Sequence, residues 1–151
     1  MIPSAIEKDI LIDAPVETVW KVVTEPGHIS RWFSDAAEID VRPDGEGTLT
    51  FDMRATNERA IINLVVETVE PPHTFAFRWD FPSGTKPHPG NSTRVEFNLA
   101  AEGSGTRLRV TESGFPGLEW PDDDKAAYVD GHTKGWDIHL ASVHDYVAGQ
   151  S

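Results

Sequence analysis

The chain of 151 residues contains no cysteine, which excludes disulfide bonds and thiolate metal sites. It also has no run of about 18 apolar residues, the length from which a membrane-spanning helix is recognised. The first twelve residues interleave Glu7, Lys8 and Asp9 with aliphatic side chains, unlike the uninterrupted apolar segment of a signal peptide. We therefore expect a cytoplasmic protein that does not insert into a membrane.

Basic residues are scarce: 13 lysines and arginines stand against 25 acidic residues, for a net charge of −12 at pH 7. This charge repels phosphate backbones, so nucleic acid is not expected as a partner. The chain also lacks a nucleophile elbow and a zinc-protease helix, and Gly103-Ser104-Gly105 lies in a predicted hairpin turn, not before a helix that binds phosphate. No cofactor is expected from these patterns.

The apolar residues recur with strand and helix periods, and the length fits a single domain over residues 1–151. Ala5–Ile12 is expected to form a strand, and residues 15–24 a helix with Asp13 as its cap. A break at Pro26-Gly27 precedes a short second helix. Six further strands with short connections predict an antiparallel meander, an α+β architecture. These strands are expected over residues 38–42, 48–54, 60–69, 73–81, 93–99 and 107–111.

The last segment, from Lys125 to Ala148, has the period of one long helix. Its polar residues share the face opposite to an apolar stripe that contains two histidines. Such a helix must cover a sheet, so we expect a curved seven-stranded antiparallel sheet wrapped around it. The stripe consists of Tyr128, His132, Trp136, His139, Leu140, Val143 and Val147, and the opposite face of Asp130, Lys134, Asp137 and Asp145.

Four segments carry a resemblance to a known family: the run from Ile12 to Trp20, the Trp32-Phe33 pair, the run from Thr111 to Phe115, and Gly135-Trp136 followed by Leu140. In this order they resemble the SRPBCC superfamily, and are most similar to its AHSA-type branch, the homologues of the activator of the Hsp90 ATPase. The resemblance implies a helix-grip, START-like fold with a hydrophobic cavity between sheet and helix. It also implies ligands such as lipids, hormones or polyketides, cyclase activity in some members, and chaperone activation in larger eukaryotic relatives.

Large rings dominate the inward positions of the predicted strands and short helices. They either line a pocket for an aromatic or lipid-like ligand or fill an ordinary core, and chain order does not separate the two. The candidate ligand-binding residues at these positions are the rings of Trp32, Phe33, Phe51, Phe75, Phe77, Trp79, Phe97 and Trp136, together with Met53.

Glu112 shares the strand parity of Leu108 and Val110, so its carboxylate should point toward the covered face. Burial there would raise its pKa and suit it to act as a general acid or to orient a polar ligand group. The alternative places it at the end of the strand, near the cavity mouth, with water or an arginine.

His132 and His139 lie two helical turns apart, about 10 Å along the axis, which is too far for a shared zinc ion. No metal site is therefore expected. Each histidine is a candidate cavity-lining donor or proton shuttle, or else a buried ring bonded to a backbone carbonyl.

Four arginines have the outward strand parity and are expected to form ion pairs on a solvated sheet face. They are Arg78, Arg94, Arg107 and Arg109, with Asp80, Glu96 and Asp52 as the expected partners.

Three functional hypotheses follow. The first is a non-catalytic protein that binds a small hydrophobic, aromatic or lipid-like ligand between helix and sheet. The second is a polyketide cyclase or aromatase that uses Glu112 and a helix histidine as acid and base. The third is a protein-interaction module that contacts a chaperone.

Overall fold

The computed structural model describes residues 2–53, 58–82 and 84–149, apart from the side chains of Met53 and Glu58. The elements follow one another as strand, two short helices, six strands and a long helix. In chain order they are β1 (Ala5–Ile12), α1 (Val16–Thr24), α2 (Pro26–Trp32), β2 (Ala36–Ile39), β3 (Glu46–Met53), β4 (Glu58–Glu70), β5 (Thr74–Trp79), β6 (Thr93–Glu102), β7 (Gly105–Ser113), a single 3-10 turn (Phe115–Gly117) and α3 (Asp122–Ala148).

The strands of the described residues form one antiparallel sheet with the order β1-β7-β6-β5-β4-β3-β2. The last six strands in the chain pair in sequence, and β1 joins the edge beside β7, with Ile6 opposite Glu112. A bulge between Val66 and Thr68 of β4 lets that strand bend where it pairs with β5. The sequence prediction of an α+β helix-grip fold with seven antiparallel strands is confirmed. Arg54, which the predicted third strand included, lies outside the described residues.

The start of α1 differs from the prediction. Pro15 occupies the N-cap position with no side-chain cap, so the expectation of Asp13 as the cap is wrong. The chain turns first through a bond from the Ala14 N–H to the Ile12 carbonyl (2.9 Å), and the N–H of Val19 then bonds the Pro15 carbonyl (3.1 Å). Because proline holds a φ near −65°, it starts the helix without a capping side chain.

Helix α3 begins with three aspartates, Asp122 to Asp124, whose charges suit the positive end of the helix dipole. It contacts β1, α1 and α2. The predicted polar face is exposed, and Lys134 there bonds Asp130 at 3.0 Å. Of the predicted stripe, Trp136, Leu140, Val143 and Val147 are buried, and Tyr128, His132 and His139 are half-buried. Val129, which the prediction did not include, is buried as well.

The core beneath the helices is filled by rings. A remaining void of about 10 Å³ is no larger than a single water needs. The rings around it are Trp32, Phe33, Phe75, Phe77 and Phe97.

The outer face of the sheet carries the expected ion pairs, with some changes of partner. Arg94 bonds Glu96 as predicted (2.9 Å), and also Glu67 (2.7 Å). Arg78 pairs with Glu67 and not with Asp80. The reason is that β5 ends at Trp79 and Asp80 adopts a φ of 66°, which reverses the chain.

Regular alternation through the expected strand over residues 73–81 would place Phe81 on the inward face with Phe77 and Trp79, but the strand ends at Trp79 and Phe81 does not lie there. After the left-handed Asp80 the alternation is broken, and Phe81 lies beside Val65 in a groove on the outer face.

In the parts of the chain that the structure describes, no helix has the length and apolarity to cross a bilayer.

Candidate functional site

The Glu112 carboxylate is fully buried (0 % exposed) and accepts four hydrogen bonds. Its Oε1 accepts from His132 Nδ1 (2.7 Å) and from Trp136 Nε1 (2.9 Å). Its Oε2 accepts from Thr93 Oγ1 (2.5 Å) and from Trp79 Nε1 (3.0 Å). The predicted inward orientation of Glu112 is confirmed, and its partners among the described residues are indole, hydroxyl and imidazole groups, with no arginine.

These donors converge for reasons of periodicity. Trp79 on β5 lies opposite Thr93 on β6, and Glu112 on β7 lies opposite Val95, two residues further along the same face. His132 and Trp136 are one turn apart on the same face of α3, so both side chains reach the Glu112 carboxylate. Three strands and one helix thus contribute to one cluster.

The predicted rise in the pKa of Glu112 is wrong in direction. Burial alone would raise it, but the hydrogen bond and charge of His132, together with the bonds from Thr93 and Trp136, hold the pKa of Glu112 below its ordinary value. An indole N–H can only donate, and each carboxylate oxygen faces one, from Trp79 and Trp136. The geometry therefore favours the ionised form, which offers lone pairs on both oxygens.

A cleft of about 280 Å³ lies beside this cluster, between α3 and the strands β3, β4 and β5. It contains five of the twelve predicted ligand-binding residues, and Glu112 accepts hydrogen bonds from three of these five, Trp79, His132 and Trp136. The lining residues are Phe51, Ala60, Ile62, Trp79, Asp80, Gly131, His132, Gly135, Trp136 and His139.

The other predicted residues lie elsewhere. Five of them, the core rings Trp32, Phe33, Phe75, Phe77 and Phe97, surround the small void described above. The side chain of Met53 lies outside the described residues. A larger groove of about 770 Å³ runs along the outer sheet face, but none of the Glu112 cluster lines it.

His139 lines the inner wall of the cleft, with its ring edge-on to Phe33 at 4.6 Å between centroids. Burial, together with the charge of His132, lowers the pKa of His139 to about 4. The imidazole of His139 is therefore neutral at neutral pH and adds no charge to the cleft.

This shift makes the stability of the protein depend on pH. In the unfolded chain His139 takes up a proton near pH 6.5, whereas in the folded protein it does so near pH 4. Between these values the unfolded state binds more protons, so the free energy of unfolding falls as the pH falls. Over the whole interval His139 is expected to remove roughly 3 kcal/mol.

Urea unfolding of the wild type and His139→Gln at pH 7 and pH 4 measures this effect. The variant should lose less stability on acidification than the wild type does. His144→Gln, a change of an exposed histidine on the same helix, is the control and should behave as the wild type. Equal acid sensitivity of wild type and His139→Gln would contradict the assignment.

Asp80 is the site residue that the sequence pattern did not reveal. Its Oδ2 accepts the Tyr128 hydroxyl at 2.9 Å, and the Tyr128 ring lies 3.9 Å from that of His132. Burial raises the pKa of Asp80, and the charge of Glu112 adds to this rise. The hydrogen bond from Tyr128 and the charge of His132 lower the pKa, but by less. Burial and the two carboxylates likewise raise the pKa of Tyr128. The sequence signal for the chain reversal was the aspartate itself, because aspartate is one of the few non-glycine residue types that tolerate a positive φ.

His132 connects the buried cluster with the cleft. Its Nδ1 bonds Glu112, and its Nε2 has no hydrogen-bond partner within the described ranges. The side chain is 22 % exposed, so Nε2 can bond a ligand.

Among the residues described by the structure, no group of three or more histidine, aspartate and glutamate side chains could hold a metal ion.

A family model of the Activator of Hsp90 ATPase homolog 1-like proteins matches residues 13–148, nearly the whole chain. The chain belongs to this family. The resemblance to the AHSA-type branch of the SRPBCC superfamily is thereby confirmed. A search of curated proteins found no significant match.

Solved structures share the fold at low sequence identity. Protein MLL2253 from Mesorhizobium loti is 21 % identical over 97 % of this chain and 98 % of its own, with a TM-score of 0.76. CalU16 from Micromonospora echinospora is 22 % identical over 97 % and 77 %, with a TM-score of 0.69. The Aha1 dimer from Colwellia psychrerythraea is 18 % identical over 95 % of each chain, with a TM-score of 0.74. At these identities the likeness concerns the fold.

Proposed function

We propose that this protein binds a small planar, mainly apolar ligand in the cleft between α3 and strands β3 to β5. The observation that carries the proposal is the composition of the cleft wall. Rings of Phe51, Trp79 and Trp136 form its apolar part, while Asp80 and His132 supply polar groups on one side. Ligand sites are typically apolar clefts with a few such polar groups.

The volume of the cleft bears on the kind of ligand. About 280 Å³ lies at the lower end of the range for ligand pockets. Among the described residues, the core rings leave a void of only about 10 Å³ beneath the helices, so the cleft does not continue into a long tunnel there. These dimensions suit a ligand of one or two rings better than a lipid chain.

Two glycines in α3 support the proposal. Gly131 and Gly135 line the cleft, and a Cβ added to either would meet nothing within 4 Å. Glycine inside a helix costs about 1 kcal/mol relative to alanine, and packing does not require it at either position. Their absent side chains leave room in the cleft, which is a reason to keep them in a protein that binds a ligand there.

The cyclase-like alternative is less well supported. It needs Glu112 as an acid, but the four donors favour the ionised carboxylate, which has no proton to give. Family membership is also compatible with a protein-interaction role. An aromatic cleft with buried polar groups is a feature that a contact with a chaperone surface does not need.

The probe for a test is 2-naphthalenemethanol, which has two rings and one neutral hydroxyl. We expect it to bind with a dissociation constant of about 100 µM or below. In nitrogen–proton correlation spectra, it should shift the indole N–H signals of Trp79 and Trp136. Gly135→Ala should weaken binding at least about fivefold, because its methyl group occupies the cleft.

Gly27→Ala is the matched control, because it adds the same methyl group to an open helical position away from the cleft. It should leave the affinity unchanged. Saturable binding that is equal in wild type and Gly135→Ala would place the probe elsewhere, and a lack of saturable binding for this probe and for its charged analogues of the same shape would refute the proposal.

A further inference from the structure

The ionisable groups of the cleft are one carboxylate and two imidazoles. Asp80, His132 and His139 are the ionisable side chains among the described residues that line it, with neither lysine nor arginine beside them. His139 is neutral at neutral pH. The described residues that line the cleft therefore bring none of the permanent positive charge with which a protein holds a carboxylate or phosphate ligand.

The charge of the adjoining cluster is negative in either form of the His132 imidazole. With Glu112 and Asp80 ionised, a protonated His132 leaves one negative charge on the three groups, and a neutral His132 leaves two. Glu112 is saturated by its four donors. Asp80 is not, since its Oδ2 accepts from Tyr128 while Oδ1 receives no bond from the described residues. Asp80 Oδ1 is thus a carboxylate oxygen at the cleft wall that is free to accept a hydrogen bond.

The position of Asp80 is held by the backbone. Its φ of 66° lies in the left-handed region, and its N–H bonds the Asn63 carbonyl at 2.9 Å. A non-glycine residue there costs about 1 kcal/mol or more, and such strain concentrates at functional positions. The backbone reversal aims the carboxylate at Tyr128 and the cleft instead of the arginines of the outer face.

We propose that the cleft selects a cationic ligand, a planar ring that carries a protonated amine. The ammonium group bonds Asp80 Oδ1, and the ring lies against Trp79 and Trp136, which also attract a cation at their faces. The net charge of −12 raises the local concentration of cations and disfavours anions. This inference rests on the proposed function of the same cleft and adds the charge of its ligand.

Three probes of nearly equal shape separate charge from shape: 2-naphthylmethylamine, 2-naphthalenemethanol and 2-naphthoate. At pH 7 the amine should bind at least about tenfold more tightly than the alcohol, and the naphthoate most weakly. Asp80→Asn keeps a residue that tolerates the left-handed backbone but removes the charge. It should weaken binding of the amine at least about tenfold and that of the alcohol less than about threefold.

Asp130→Asn is the matched control, because it removes the same charge from the exposed face of α3. It should reduce amine binding only slightly. A second readout uses the wild type alone: in carbon NMR titrations, the amine should lower the pKa of Asp80, whose charged neighbours are His132 and Glu112, and the alcohol should not.

The outcomes are distinct. If neither the alcohol nor the amine binds in the cleft, the proposed function and this inference both fail. If the alcohol binds but the amine binds no more tightly, or if the amine leaves the pKa of Asp80 unchanged, the proposed function stands and the cationic preference is refuted.

Discussion

Trp136→Ala is expected to lower the free energy of unfolding by about 3 to 5 kcal/mol. The Trp136 side chain is only 2 % exposed, and its ring stacks on Phe33 and Trp79 at centroid distances of 5.5 and 5.8 Å. The substitution opens a large hole beneath α3 and also removes a hydrogen bond from the buried Glu112. Urea unfolding at pH 7 measures the loss.

Trp136→Phe is the companion variant, because it keeps a ring but loses the indole N–H. It should fall between the wild type and the alanine variant, with a loss of about 1 to 3 kcal/mol from the missing bond to a charged group. A loss below about 1 kcal/mol for Trp136→Ala would show that α3 does not depend on this contact.

Glu112→Gln is expected to lower the free energy of unfolding by about 3 to 5 kcal/mol, although it changes the side chain by only one group. The carboxylate offers lone pairs on both oxygens to four donors. A glutamine amide turns one of these positions into a donor, so that an N–H faces another N–H or O–H in a fully buried site. Glu96→Gln on the outer face of β6 is the control and should cost less than about 1 kcal/mol.

The same pair of proteins should show a defined pH dependence. Because the fold lowers the pKa of Glu112, its contribution to stability is complete above the ordinary value of 4.5 and is lost as the pH falls through the lower, folded value. The difference between wild type and Glu112→Gln should therefore be constant from pH 7 to about 5 and shrink at more acidic pH. A difference that grows on acidification would contradict the lowered pKa.

The fold was predictable because its signals are periodic. Alternation along the strands and the helical stripe of α3 are local patterns, and burial selects for them at every position of an element. Strand parity also placed Glu112 on the covered face, where the structure has it. The bounds of β1 agree with the prediction to the residue, while α3 starts three residues before the expected Lys125, at Asp122.

The candidate site was less predictable because it depends on contacts between distant segments. The pKa of Glu112 depends on its hydrogen-bond partners on β5, β6 and α3. Strand parity shows that Glu112 points inward but does not show which side chains it contacts. The reversal at Asp80 breaks the alternation that the prediction assumed. Strand parity shows which face of the sheet a side chain is on, but not how far it lies from the edge of the core. It therefore did not separate Phe75 and Phe77 in the core from Phe51 at the cleft.

The position of the Glu112 carboxylate has a consequence for how a ligand reaches the cleft. Two residues of α3, His132 and Trp136, bond this charge from one side, while the strands hold it from the other. Lifting the helix would leave an ion in the interior with half of its partners gone, a cost comparable to much of the stability of a domain. Helix and sheet therefore open together or not at all. A ligand of the proposed kind would therefore enter the cleft from the side, between α3 and the strands, and not beneath a moving helix.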